Sequence, residues 1–270
     1  MTYLKLNDGT RLPKLGLGLW QVPTAIAAQT VRTAITQGYR LFDGAAIYGN
    51  EVELGEGIRA ADCPRDQIFL TTKIWNDRQG FDATLSAFDE SETRLGLSPD
   101  LILIHWPCPA RGLYLETWRA LVRLKEEGRV RSIGVSNFKA EHLDRIIGET
   151  GVTPVLNQIE LHPRLQQAEL RAIHERLGVV TQSWTPLGGG ASFDAPPIRA
   201  IAERLGKTPA QIILRWHLQL GCSAIPRSTR PEGLAENLAA QELVLTEDDM
   251  AAIAALDAGV RTGPDPSTFG

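Results

Sequence analysis

Four residues in the first half of the chain have the chemistry of a proton-donating site: Asp43, Tyr48, Lys73 and His105. They lie in the segments LFDGAAIYGNE, IFLTTKIW and LILIHWP, where three strand-like runs end. A tyrosine is a poor acid at neutral pH because its ordinary pKa is about 10. A nearby ammonium favours the phenolate, so Lys73 is expected to lower the pKa of Tyr48, while Asp43 keeps the lysine charged and in place. His105 would orient a carbonyl oxygen, and the set would protonate that oxygen as it becomes an alkoxide.

Each residue taken alone has an ordinary explanation, because single lysines and tyrosines usually lie at the surface or at the rim of a core. Their shared position favours a site. Asp43 ends YRLF, Lys73 follows IFLTT and His105 follows LILI. Charged groups at the carboxyl ends of apolar strands are hard to explain by packing.

The elements that must position these residues alternate between short apolar strands and longer amphipathic helices. Eight strands are predicted, at KLGLG, YRLFD, IFLTTK, LILIH, VRSIGV, PVLNQIEL, VVTQSW and CSAIP. Nearly continuous apolar runs are typical of parallel strands buried on both faces. Eight strand-helix units predict the α/β class and a (β/α)8 TIM barrel, formed by residues 1–270 as a single domain. The doubly wound open sheet is the alternative, but neither a Gly-x-Gly-x-x-Gly motif nor a Pro/Gly/Ser-rich linker supports it.

Capping residues predict helix boundaries on either side of the second and third strands. One helix is predicted from Thr24 to Gln37, with Thr24 as its N-cap. Another is predicted from Asp82 to Leu95, with apolar residues at helical spacing and a stop at Gly96.

The chain carries additional elements at both ends of the predicted barrel. LKLNDGTRLPKL predicts a β-hairpin that turns at Asn7-Asp8-Gly9 and plugs the amino-terminal mouth. LTEDDMAAIAAL predicts an extra C-terminal helix with Thr246 as its N-cap. The final tail, DAGVRTGPDPSTFG, is Gly- and Pro-rich and is expected to fold over a barrel mouth.

Composition limits the classes of partner. With 43% hydrophobic and 22% charged residues and a net charge of -4, the chain has the composition of a soluble globular protein. Lys and Arg form no basic stripe, which argues against nucleic acid and membrane partners. Cys63, Cys108 and Cys222 are widely spaced, so no disulfide framework or metal site is expected. No export signal, apolar span or heptad repeat is visible, and a cytoplasmic monomer is therefore expected.

Seven motifs occur in order along nearly the whole chain: FDGAAIYGNE, TTKIWN, LILIHWP, GVSNF, NQIELHP, SWTPLG and IPRSTRPEGLAEN. Together they resemble the aldo-keto reductase family, and in particular its short-looped prokaryotic members similar to 2,5-diketo-D-gluconate reductases. The resemblance implies an NADPH-dependent carbonyl reductase without metal or flavin, in which Asp43, Tyr48, Lys73 and His105 are the catalytic tetrad. Gly44 departs from the family pattern, since relatives usually have Thr or Ser there. Gly233 also departs, since relatives commonly carry an Arg that contacts the adenine or the 2'-phosphate.

The resemblance also implies a set of cofactor-binding residues: Gly18, Ser136, Asn137, Gln158, Trp184, Leu187, Gly188, Gly190, Arg227, Ser228, Glu236 and Asn237. Ser, Asn and Gln would hold the nicotinamide amide, and Trp184 would cover one ring face so that the pro-R hydrogen is transferred. The loop PLGGG would approach the pyrophosphate closely because glycine has no Cβ. Arg227 and Ser228, with Arg230 nearby, match the 2'-phosphate contacts and favour NADPH, although Gly233 leaves NADH as an alternative.

Several of these residues have structural explanations that the sequence leaves open. Ser136-Asn137 could form a turn, and Gln158 could make a buried structural hydrogen bond. PLGGG could be a flexible turn, and the pair Glu236-Asn237 could lie on an exposed helix face.

By the same resemblance, the substrate pocket is lined by Trp20, Tyr48, Trp75, His105 and Trp106. The connection PCPARGLYLETW is short, so the pocket is expected to be open and to accept small polar carbonyls such as 2,5-diketo-D-gluconate or methylglyoxal. Two alternatives remain. One is an NAD(P)-dependent alcohol dehydrogenase that works in the oxidative direction, and the other is a nucleotide-binding sensor or regulatory subunit on the same fold.

Overall fold

Within residues 2–270, which the computed structural model describes, eight neighbouring parallel strands form a closed wall. They are β3 (Leu17–Gly18), β4 (Leu41–Asp43), β5 (Phe69–Ile74), β6 (Leu101–Ile104), β7 (Ser132–Ser136), β8 (Leu156–Glu160), β9 (Val180–Trp184) and β10 (Ser223–Ala224). The first and last strands meet, because the Gly16 nitrogen donates to the Ala224 carbonyl at 3.0 Å and the Ala224 nitrogen donates to the Lys14 carbonyl at 2.9 Å. The predicted (β/α)8 barrel is confirmed, and the open sheet is excluded.

Ten α-helices lie in the described part of the chain, most of them around the barrel. They are α1 (Thr24–Thr36), α2 (Glu51–Arg59), α3 (Phe81–Leu95), α4 (Tyr114–Glu126), α5 (Ala140–Thr150), α6 (Ala168–Leu177), α7 (Pro196–Leu205), α8 (Pro209–Gln219), α9 (Pro231–Ala239) and α10 (Glu247–Ala254). Two of them, α7 and α8, lie between β9 and β10. Gly206 ends α7 in a left-handed conformation, and Thr208 caps α8 two residues later.

Side chains alternate along each strand between the barrel interior and the helix layer. Leu41 and Leu156 belong to the interior cluster, whereas Phe42 and Ile133 pack in clusters that include the surrounding helices. Residues two positions after an interior side chain face inward again. This alternation brings Asp43, two residues after Leu41, to the carboxyl-terminal mouth.

The predicted amino-terminal hairpin is confirmed. β1 (Tyr3–Lys5) and β2 (Arg11–Pro13) pair antiparallel, and Leu6 and Leu12 are buried in the interior cluster. Ser132, the first residue of β7, donates a hydrogen bond of 2.7 Å from its hydroxyl to Asp8 in the hairpin turn. The hairpin therefore closes the mouth opposite the strand carboxyl ends.

The predicted caps have different outcomes. Thr246 caps α10, since its hydroxyl accepts from the Asp249 nitrogen, and Gly96 ends α3 with φ of 59°, so both predictions are confirmed. The prediction that Thr24 is an N-cap is wrong. Pro23 is the capping position with φ of −58° and ψ of 138°, and its extended backbone moves the boundary one residue earlier, so Thr24 is already helical. Among the described residues, none of the helices combines the length and apolarity needed to cross a bilayer.

Candidate active site

A cavity of about 680 Å³ opens at the carboxyl-terminal mouth of the barrel. Most of the residues predicted for the site line it, namely Gly18, Trp20, Asp43, Tyr48, Trp75, His105, Trp106, Ser136, Asn137, Gln158, Trp184, Leu187, Gly190 and Arg227. Lys73 lies beneath this lining and is fully buried.

Lys73 connects the acidic and phenolic groups of the site. Its Nζ donates to Asp43 Oδ2 at 2.5 Å, to the Gly44 carbonyl at 2.8 Å and to Tyr48 Oη at 3.2 Å. An ammonium has three protons to donate and no acceptor, so these contacts use all of them. The Tyr48 oxygen accepts from the lysine, and its own proton is therefore free for a group in the cavity.

Gly44, which departs from the family pattern, has a steric explanation. A Cβ at this position would lie 2.7 Å from Cδ2 of Leu54, a buried residue of α2. The Gly44 carbonyl still accepts from Lys73, so the backbone contributes to the site although the side chain is missing.

The protonation states differ in part from the expectation. Burial alone would lower the pKa of Lys73, but Asp43 and Tyr48 raise it above its ordinary value, so the ammonium is retained. The expectation that the pKa of Tyr48 is lowered is wrong. Burial raises this pKa, Lys73 lowers it and Asp43 raises it, and the pKa lies above 10.0 overall. Tyr48 therefore holds its proton at neutral pH, as a general acid must.

His105 is neutral at neutral pH. Burial, followed by the charge of Lys73, holds the pKa of its imidazole well below 6.5. Its ring packs edge-on against Trp75, with centroids 4.9 Å apart, and lies 5.7 Å from the Tyr48 ring. A neutral imidazole beside the tyrosine hydroxyl can donate one N–H to a carbonyl oxygen.

Gln158 makes buried hydrogen bonds, the structural role that the sequence left open for it. Its Nε2 donates to Asp43 Oδ1 and to Gln182 Oε1, both at 2.7 Å. Gln182 donates in turn to the Ser223 hydroxyl at 3.0 Å. Both Gln158 protons are used inside the barrel, so its Oε1 is the atom available to an amide donor in the cavity.

Ser136, Asn137 and Trp184 form a second hydrogen-bonded group on the same wall. Trp184 Nε1 donates to Asn137 Oδ1 at 2.8 Å, and Asn137 Nδ2 donates to the His105 carbonyl at 3.0 Å. Ser136 donates to the Gln158 carbonyl at 2.8 Å. These contacts fix the indole and the histidine backbone, so a structural role accompanies the predicted nicotinamide contacts.

The glycine-rich loop lies beside the cavity as a short helical turn, Gly188–Gly190. Leu187, Gly189 and Gly190 line the cavity, whereas Gly188 packs over the His162 ring, which a Cβ would approach to 3.1 Å. Gly18 also has a packing explanation, because a Cβ there would lie 2.8 Å from the Ile225 carbonyl.

Arg227 lies at the cavity rim and is exposed, with its guanidinium donating to Gln21 Oε1 at 3.1 Å. Ser228 and Arg230 lie outside the lining, next to Gly233. A Cβ on Gly233 would be 2.6 Å from Ser228 Oγ and 3.8 Å from a terminal nitrogen of Arg230. Arg230 therefore lies beside Gly233, the position where the resemblance led us to expect a guanidinium.

The structure does not bring Glu236 and Asn237 into the cavity. Glu236 accepts a hydrogen bond of 2.5 Å from the Thr208 hydroxyl, and Asn237 is buried in α9. Their predicted contact with adenine stays a prediction.

Sequence reasoning missed several lining residues, most of them apolar: Gln21, Ile47, Thr185, Pro186, Phe193, Ile225, Pro226, Thr262, Gly263, Pro264 and Phe269. The last four belong to the tail, which confirms that it folds over a barrel mouth. Glu160 and Gln182 were also missed, because each lies in a strand that already carries other polar residues, LNQIE and VTQSW, and so does not stand out as Lys73 does.

Comparison with known proteins agrees with the geometry. A model of the aldo/keto reductase family matches residues 14–258. An aldo-keto reductase of Mycolicibacterium smegmatis is 50% identical over 267 residues, covering 98% of this chain and 97% of the relative. The methylglyoxal reductase DkgA of Salmonella typhimurium is 46% identical over 272 residues, covering 100% and 98%.

The fold comparison gives the same result. A solved structure of a Gox0644 variant in complex with NADPH has a TM-score of 0.96 and 49% identity, covering 100% of this chain and 98% of that one. The resemblance in the sequence motifs is thereby confirmed, and this chain belongs to the aldo/keto reductase family.

Proposed function

We propose that this protein reduces aldehydes and ketones to alcohols with NADPH, with Tyr48 as the general acid. The observation that carries the proposal is the direction of one hydrogen bond. Lys73 donates to the Tyr48 oxygen at 3.2 Å and leaves the tyrosine proton free, beside a neutral His105 at the cavity.

The residues present fit the cofactor. Gln158 Oε1 offers an acceptor for a carboxamide, and the Trp184 ring at the cavity wall offers a flat surface. Arg227 supplies an exposed guanidinium for a phosphate at the rim. Bound NADPH would supply the hydride, and the NADPH complex of a relative with 49% identity supports this choice. NADH is the alternative cofactor. Replacement of Arg227 would favour it, because NADH has no 2'-phosphate for the guanidinium to bind.

Each polar group then has one role in the reduction. His105 donates a hydrogen bond to the carbonyl oxygen and orients it. Tyr48 gives its proton to that oxygen as it becomes an alkoxide. Lys73 stabilises the phenolate that remains, and Asp43 keeps the lysine charged.

The substrate is a small neutral carbonyl. The part of the cavity lining that we assign to the substrate is apolar and aromatic. It includes Trp20, Ile47, Trp75, Trp106 and Phe269. Arg227 is the one Lys or Arg among the lining residues, and we assign it to the cofactor. A carboxylated sugar such as 2,5-diketo-D-gluconate would lose its hydration here without gaining a cationic partner. Methylglyoxal fits better, and a relative bears the name methylglyoxal reductase.

The test follows NADPH oxidation with methylglyoxal, benzaldehyde and 2,5-diketo-D-gluconate. Tyr48→Phe should lower kcat about 10²- to 10⁴-fold, because it removes the general acid. Tyr114→Phe is the matched control, since this hydroxyl makes one long contact with Arg145, at 3.5 Å, away from the cavity lining. Retained turnover in Tyr48→Phe would refute the assignment.

The same assay separates the alternatives. Faster turnover of alcohol with NAD⁺ than of carbonyl with NADPH would favour the oxidative dehydrogenase. Tight NADPH binding without turnover of any carbonyl would favour a nucleotide-binding subunit. The monomeric state and the cytoplasmic location stay predictions.

A further inference from the structure

Glu160 is a buried carboxylate that the reduction does not use. It is the last residue of β8, pairs in register with Trp184 and has no exposed surface. An ionised carboxylate without partners is costly in such a place. Its partners therefore show what the residue does.

The partners come mostly from the C-terminal tail. Glu160 Oε1 accepts from the Thr262 nitrogen at 2.6 Å and from the Thr262 hydroxyl at 2.7 Å. Oε2 accepts from the Gly263 nitrogen at 3.2 Å, and His162 Nε2 lies 3.1 Å from Oε1. Burial raises the pKa of Glu160, but the hydrogen bonds from His162, Thr262 and Gly263 lower it below its ordinary value overall. The carboxylate is therefore ionised and depends on the tail for most of its hydrogen bonds.

The tail held in this way forms part of the cavity wall. The Gly263 backbone packs against Trp184 so closely that a Cβ would lie 2.5 Å from Cη2 of the indole. Further along, the Phe269 ring packs on Trp106 with centroids 4.6 Å apart. A displacement of residues 262–264 would therefore disturb both aromatic contacts.

The other contacts of the tail are weaker or lie further from the wall. The Ala258 and Val260 nitrogens donate to the Arg164 carbonyl, which holds the start of the tail. Beyond Gly263, Lys139 pairs with Asp265 at 2.9 Å, but both side chains are partly exposed, and such pairs contribute little. Glu160 is thus the buried attachment nearest to the wall.

We propose that Glu160 is a positioning residue that anchors the tail over the barrel mouth and so sets how well the cavity accepts large aromatic carbonyl substrates in addition to small ones. The proposal rests on the proposed reductase activity for its substrate readout. A large ring in the cavity would contact Phe269, whereas a small carbonyl at Tyr48 and His105 would not need this wall. The anchor therefore acts on the KM of large substrates.

Anchoring is tested without activity by trypsin. The bond after Arg261 precedes Thr262, whose nitrogen is bound to Glu160, so wild-type protein should resist cleavage there. Glu160→Gln keeps the shape but replaces one acceptor oxygen with a donor facing backbone N–H groups. Release of the peptide 262–270, measured by mass spectrometry, should become at least about tenfold faster as the open population rises. Asp265→Asn weakens the exposed pair with Lys139 and the turn contact with the Ser267 nitrogen, both beyond Gly263, and should cleave like wild type.

Selectivity is tested by steady-state kinetics with NADPH. In Glu160→Gln the KM for benzaldehyde should rise about tenfold, while kcat with methylglyoxal should change less than about threefold. Thr262→Val, which removes one hydroxyl donor, should shift the same KM in the same direction by less, and it serves if the first variant does not fold.

The outcomes separate the two proposals. Trypsin resistance that is unchanged in both Glu160→Gln and Thr262→Val overturns the anchor. Faster cleavage with equal changes in the KM for benzaldehyde and for methylglyoxal overturns its role in selectivity. A wild-type protein without reductase activity would refute the proposed function, while the cleavage result would still decide on the anchor.

Discussion

The side-chain nitrogen of Gln158 lies 2.7 Å from Oδ1 of Asp43, so a residue predicted to bind the nicotinamide also contacts the tetrad directly. The same nitrogen lies 2.7 Å from Gln182 Oε1. Two acceptors on one side fix the orientation of the amide and direct its oxygen towards the cavity. The predicted cofactor contact and the charge that holds Lys73 are therefore joined through one side chain.

Gln182→Leu should weaken NADPH binding, because the Gln158 amide loses one of the two acceptors that orient it. One hydrogen bond contributes about 0.5–1.5 kcal/mol, so the Kd should rise about 3- to 10-fold. Quenching of tryptophan fluorescence on titration with NADPH measures it. Thr181→Val is the control, since it removes a hydrogen bond to His174 on the outer face of the same strand. Equal losses of NADPH affinity in Gln182→Leu and Thr181→Val would point to general destabilisation instead. Gln182→Glu keeps an acceptor for the Gln158 amide and should bind NADPH more tightly than Gln182→Leu.

The pH dependence of reduction should show an alkaline limb without a limb near neutrality. The pKa of His105 is well below 6.5, so its charge does not change between about pH 7 and 9, and the pKa of Tyr48 is raised above its ordinary value. The kcat/KM should be flat over this range and should fall at higher pH as Tyr48 loses its proton. Because Asp43 raises the pKa of Tyr48, Asp43→Asn should move the alkaline limb to lower pH. A fall in kcat/KM as the pH is lowered through about 6.5 would contradict the neutral state of His105.

Arg227→Ala should weaken NADPH binding far more than NADH binding. The guanidinium is exposed at the cavity rim, and a charge-assisted contact with a phosphate contributes about 1.5–3 kcal/mol, or roughly 10- to 100-fold in Kd. Arg230→Ala should have a smaller effect of the same sign, since Arg230 lies beside Gly233 but outside the cavity lining. Fluorescence titration with both nucleotides measures the ratio, and Arg123→Ala on α4 is the control. Equal weakening of both nucleotides would show that Arg227 does not discriminate between them.

Site residues could be predicted from the sequence where the pattern within a single strand was enough to identify them. Asp43, Lys73 and His105 stand out because a charged or polar residue ends an apolar run, and the barrel then brings these ends together. Contacts between distant segments were not predictable in this way. Nothing in the sequence pairs Glu160 with Thr262, 102 residues away. The direction of the pKa shift of Tyr48 was also missed, because it depends on burial as well as on the neighbouring charge.

Helix caps show the same limit at a single residue and give a further test. Thr246 accepts from the Asp249 nitrogen at 3.1 Å, whereas Thr24 caps nothing because Pro23 occupies the capping position. Thr246→Ala should therefore lower the free energy of unfolding by about 1 kcal/mol, the usual contribution of an N-cap. Thr24→Ala, the matched control at an exposed position of α1, should change it by less than about 0.5 kcal/mol. Urea titration followed by circular dichroism measures both. A loss in Thr24→Ala as large as in Thr246→Ala would mean that Thr24 caps α1 after all.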